Sequence, residues 1–66
     1  MANKLIKAKK LFDWFEIPNQ IIKGNLYITV MYFDNTSQIE VQVANEQIAA
    51  MADEYDTLIK NGVINE

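Results

Sequence analysis

The sequence predicts a small α+β domain of order α-β-β-β-α, a three-stranded antiparallel meander flanked by two helices. Three observations lead there. The two ends of the 66-residue chain carry apolar residues at helical spacing, the middle is dense in β-formers with one strictly alternating stretch, and short turn signals divide that middle into strands. This length allows one domain, residues 1–66, and with half of the residues apolar the composition is that of a folded chain.

The first helix is expected from about Asn3 to Glu16, with Asn3 as N-cap. Leu5, Ala8, Phe12 and Phe15 form its apolar stripe, with Leu11 at the margin and Trp14 well off it. Pro18 ends it, because a residue before proline avoids the helical region. Gly24-Asn25 reads as a two-residue hairpin turn that folds Gln20 to Lys23 back onto Leu26 to Ile28, with Ile21 facing Ile28. The alternative is that Gln20 to Lys23 is irregular.

Leu26 to Phe33 is the central strand, and Ile39 to Val43 alternates as a half-buried strand does. The turn between them is Asp34-Asn35-Thr36-Ser37. It places Phe33 opposite Gln38, Tyr32 opposite Ile39, Val30 opposite Val41 and Ile28 opposite Val43. The expected core face is therefore Leu26, Ile28, Val30, Tyr32, Ile39, Val41 and Val43. The second helix runs from Glu46 to Asn61 with Asn45 as N-cap and Asn61-Gly62 as stop. Its apolar face is Ile48, Met51, Ala52, Tyr55, Leu58 and Ile59, while Asp53, Glu54 and Asp56 face water.

The composition narrows the chemistry. There is no histidine, cysteine or arginine, the residues that supply most general bases, thiol nucleophiles and bidentate anion clamps. A serine triad and a thiolate zinc site are excluded, since Ser37 has no histidine to activate it. Gly24 and Gly62, the two glycines, sit at a turn and a cap rather than in a phosphate loop. The adjacent acids Asp53, Glu54 and Asp56 read as a solvated helix face rather than a metal site. The expectation is a protein that is not an enzyme and uses no cofactor or metal. No targeting or membrane-spanning pattern is read, so a cytoplasmic setting, in a bacterium or an infected host cell, is expected. Lysine as the sole basic residue, with abundant Asn and Ile, looks like the AT-rich coding of small phage or plasmid genes.

The feature that points to function is the second sheet face. It carries Tyr27, Thr29, Met31 and Phe33 on the central strand, edged by Gln38, Glu40 and Gln42. Aromatic residues and Met are the types enriched at interface centres, and an exposed patch of them marks an interaction surface. The protein-interface candidates are Tyr27, Met31, Phe33, Glu40 and Gln42, with Trp14 as a further one. Three readings follow: helices on both faces, making these residues core; a homodimer through this face; or a different protein partner, for which the chain acts as regulator or inhibitor.

The net charge of −3 is unevenly placed: residues 1–23 carry five lysines against two acids, residues 24–66 one lysine against seven. Lys4, Lys7, Lys9 and Lys10, near Phe12, Trp14 and Phe15, give an alternative reading as a nucleic-acid-binding accessory protein. The net charge and the missing arginine oppose it. A further alternative is an acidic mimic of a DNA duplex using Asp34, Glu40, Asp53, Glu54 and Asp56.

Overall fold

The structure is a computed structural model that describes residues 2–31 and 37–65. Tyr32, Phe33, Asp34, Asn35 and Thr36, and with them the strand's last residues and all of the expected turn but Ser37, lie outside the described residues. The elements follow in the expected order: α1 (Ala2–Trp14), β1 (Asn19–Ile22), β2 (Asn25–Met31), β3 (Gln38–Gln42) and α2 (Asn45–Lys60). The three strands form one antiparallel sheet in the order β1-β2-β3.

α1 begins one residue before the expected cap, so Asn3 is a helical residue rather than the N-cap. At its other end the helix stops at Trp14, short of the expected Glu16. There the backbone turns out through Glu16, whose φ is 61°. The Glu16 amide donates to the Asp13 carbonyl (3.0 Å) and the Ile17 amide to the Phe12 carbonyl (2.9 Å). This is the Schellman pattern, with Ile17 also packed against the cluster that contains Phe12. The turn removes Phe15 from the expected apolar stripe and leaves it exposed, while Leu11, expected at the margin, is buried with Ala8 and Phe12. α2 ends the same way: Gly62 (φ 77°) donates to the Ile59 carbonyl and Val63 to that of Leu58. At this position glycine adopts the left-handed backbone freely, whereas Glu16 does so against a steric penalty.

The N-terminus of α2 differs from expectation by one residue. Ala44 is the N-cap, with extended backbone and no side-chain hydrogen bond, and Asn45 already belongs to the helix. An alanine leaves free amides that a hydroxyl would satisfy. Gln47 stands three residues on, so Ala44→Ser completes a capping box of the form S-x-x-Q. We expect this substitution to raise stability by about 1 kcal/mol. Its check is a rise in the urea midpoint at unchanged slope; an unchanged midpoint would show that the amides are already satisfied by water.

Both hairpin registers are displaced by two residues from expectation. Lys23 (φ 51°) and Gly24 (φ 80°) are the turn residues, the pair of left-handed backbones that a type I′ hairpin requires. Ile22 therefore pairs with Asn25, and Ile21 with Leu26 rather than with Ile28. The Thr29 amide extends this ladder to the Pro18 carbonyl at 2.9 Å. On the other side Val30 pairs with Ile39 and Ile28 with Val41. Val43 donates to the Leu26 carbonyl at 2.8 Å. A two-residue slip keeps every side chain on its own face, so the two faces are those read from the sequence.

The core lies mainly between the helices. Leu11, Tyr55 and Ile64 form one buried cluster, lined by Met51, Leu58 and Ile59. Ala8, Phe12, Leu26 and Val43 form the other, which joins α1 to the sheet. The helices pack chiefly on each other rather than along the sheet. The molecule is correspondingly drawn out, 38 × 25 × 17 Å.

Candidate protein-contact surfaces

The mixed sheet face gathers Gln20 and Ile22 of β1, Tyr27, Thr29 and Met31 of β2, and Gln38, Glu40 and Gln42 of β3, as the pairing dictates. Met31 is 52% exposed and Ile22 is exposed too, whereas Tyr27 is half-buried. The cover over Tyr27's surroundings is polar and comes from the neighbouring strands. Gln20, opposite Tyr27, hydrogen-bonds through Nε2 to the Glu40 carboxylate, and Gln42 Nε2 reaches Asn25 Oδ1 at 3.4 Å. Both Glu40 and Gln42 are exposed. Of the residues expected here, Tyr27, Met31, Glu40 and Gln42 thus share one face, and Phe33 lies outside the described residues. Trp14 belongs to neither sheet face. It forms an exposed aromatic pair with Phe15 at the end of α1, ring centres 5.0 Å apart and planes inclined by 69°.

The opposite, inner face is where the structure departs most from expectation. Ile21, Leu26, Ile28, Val30, Ile39, Val41 and Val43 share it, as the sequence indicates. Only Leu26 and Val43 are buried; Ile21, Ile39 and Val41 remain 36%, 37% and 41% exposed. The helices cover only part of this face, because they pack chiefly on each other. Beside the two anchoring residues an open groove of about 340 Å³ separates α2 from the sheet, lined by Phe12, Ile28, Val43, Gln47, Ala50 and Met51. Sequence reasoning placed Ile39 and Val41 in the core and so missed them as surface residues. Alternation shows that a strand has two unlike faces; it carries no information on how far a helix extends over one of them.

The four lysines of the alternative reading differ in their surroundings. Lys7 Nζ pairs with Asp56 of α2 at 2.9 Å. Lys9 Nζ lies 3.2 Å from the Asp13 carboxylate and donates to Asn19 Oδ1 at 3.0 Å. Asn19 in turn donates to Asp13 (2.7 Å) and to the Ile17 carbonyl (2.8 Å), which ties the start of β1 to α1. The Asn19 hydrogen bond, helped by Lys9 and opposed by partial burial, holds the Asp13 carboxyl below its ordinary range. Lys4 and Lys10 are exposed. Lys7 and Lys9 each face a carboxylate, so part of this cluster's charge is balanced within the chain.

Of the acids in the duplex-mimic alternative, Glu40, Asp53 and Glu54 are exposed, Asp56 is engaged by Lys7, and Asp34 lies outside the described residues. Among the described residues no group of three or more acids is placed to hold a metal ion, and no helix is long and apolar enough to cross a membrane. No protein-family model matches the chain, and no curated protein or solved structure is significantly similar to it.

Proposed function

We propose that this chain is a non-enzymatic protein-binding protein, a small regulator or inhibitor that acts by docking the mixed face of its sheet on another protein. The observation that supports this reading is the composition of that face. An exposed Met31 and a half-buried Tyr27 share the face, four residues apart on β2 with Thr29 between them, and hydrogen-bonding side chains border them: Gln20, Gln38, Glu40 and Gln42. Apolar and aromatic side chains interspersed with hydrogen-bonding ones are the composition of an interface between proteins that also exist apart. Among the described residues of this border the only charge is Glu40, and residues 24–66 are strongly acidic, so charge complementarity calls for a partner surface with a shallow apolar socket flanked by lysine or arginine.

A photo-crosslinking side chain placed at Met31, and in a second protein at Glu54 on the far side of α2's apolar stripe, tests this in extracts of the source cell. We expect a defined adduct from position 31 and none from position 54. Excess unmodified protein should compete the adduct away, and the Met31→Lys protein should compete at least tenfold more weakly. Equal adducts from both positions, or competition unaffected by Met31→Lys, would overturn the reading.

A further inference from the structure

The uncovered inner face calls for an occupant different from the partner of the mixed face, and three quantities identify it. The first is area. The chain exposes 4908 Å², roughly 600 Å² more than the ~4,300 Å² usual for a folded monomer of its mass. Its radius of gyration is 12.6 Å, against roughly 10.8 Å for a compact domain of this length. The surplus approaches the ~800 Å² that each partner contributes to a standard protein interface.

The second is charge. Ile21, Leu26, Ile28, Val30, Ile39, Val41 and Val43 bear none, and among the described residues of this face's strands the one polar side chain, Asn19, is satisfied by Asp13, Lys9 and the Ile17 carbonyl. A surface on a protein of net charge −3 that meets its own copy must not bring acids together. This face meets that condition, whereas on the mixed face a two-fold axis near the middle of β3 would set Glu40 against Glu40.

The third is shape. Ile39 and Val41 stand as an exposed ridge on β3, and the groove walled by Ile28, Ala50 and Met51 lies on the same side of the sheet. A ridge and a groove side by side on one surface are what a two-fold contact uses, each copy's ridge entering the other's groove.

We infer that the inner sheet face is the interface of a homodimer, in which the ridge of Ile39 and Val41 of each protomer fills the groove between sheet and α2 of the other. Two sheets then pack face to face at about 10 Å. The inference stands apart from the proposed partner on the mixed face, which the dimer leaves open, so either can fail alone.

Sedimentation equilibrium on the unmodified protein comes first: we expect twice the 7.6 kDa protomer mass at high micromolar concentration, with dissociation on dilution. A 7.6 kDa species throughout would overturn the inference. The face is then tested with two variants, made simple by the absence of native cysteine. Val41→Cys preserves an apolar side chain on the inner face, and Glu40→Cys places a thiol on the opposite one. We expect the thiol at position 41 to react at least tenfold more slowly with a water-soluble disulfide reagent at high protein concentration than at low, and the thiol at position 40 to react at one rate throughout. Protection at position 40 instead, or at neither position in a protein of dimer mass, would place the contact elsewhere and overturn the assignment. Ile39→Lys, at an exposed position, should yield a monomer that keeps its far-ultraviolet dichroism; a dimer persisting with this charge in the ridge would count against the interface.

Discussion

Leu26→Ala should leave this protein at or beyond the edge of folding. Leu26 is fully buried and stands in the apolar cluster that anchors the sheet to the helices. On β2 it is flanked by Ile21 and Val43 of the neighbouring strands, and it clusters with Ala8 and Phe12 of α1. Removing three carbons from such a site loses their transfer free energy and leaves a void, at a cost of about 2–5 kcal/mol. The upper part of that range is expected, because backbone hydrogen bonds hold the strands on either side and limit collapse into the space. A core in a chain of this length rarely supplies more than ~3–5 kcal/mol in total. Urea unfolding at fixed protein concentration, followed by far-ultraviolet dichroism and Trp14 fluorescence, measures the loss. Hydrogen exchange should show the sheet amides losing protection ahead of those of the helices. A loss under about 1 kcal/mol would mean that the anchor is not where the sheet's attachment resides.

Leu11→Ala should cost a similar amount, about 2–5 kcal/mol, with a different signature. Leu11 and Phe12 are consecutive on α1, about 100° apart around the helix. That angle sends Phe12 to the cluster holding the sheet and Leu11 to the one holding α2 and the chain's end. Leu11 packs with Tyr55 and Ile64 there. The amides of Val63 and Ile64 both donate to the Leu58 carbonyl, at 2.9 and 3.3 Å. With Leu11 truncated, Ile64 loses a principal neighbour, and these two amides should be among the first to exchange. If the sheet amides exchange first instead, the two clusters do not have the separate roles that their membership indicates. The exposed ion pair between Lys7 and Asp56 also joins α1 to α2, but pairs of this kind are worth no more than about 1 kcal/mol and will not compensate.

The two clusters also explain the uncovered face. The two helices pack chiefly on each other, and α1 divides its apolar residues between the two clusters. What reaches the sheet is Ala8 and Phe12, with Leu5, Ile48 and Met51 at the margin. Two helices of 13 and 16 residues do not both pair with one another and blanket three strands. The mixed face, by contrast, is protected from within the sheet, by the glutamine and carboxylate side chains that reach across it.

Element type, order and the sorting of strand residues into two faces were legible in the sequence, because each is a local property of periodicity and turn chemistry. Tyr27, Met31, Glu40 and Gln42 were placed on one face by that logic, and they share it. Caps and registers were legible only to within one or two residues. A slip of two leaves the face pattern unchanged, so hydrophobicity cannot choose among such registers, and between β1 and β2 the left-handed pair Lys23 and Gly24 made the choice. What the tertiary structure alone decided is coverage. Whether Ile39 and Val41 are core or surface depends on where the axes of α1 and α2 lie over the sheet. That is set by the competition between helix–helix and helix–sheet burial, which involves residues far apart in the chain and leaves no trace in any local pattern.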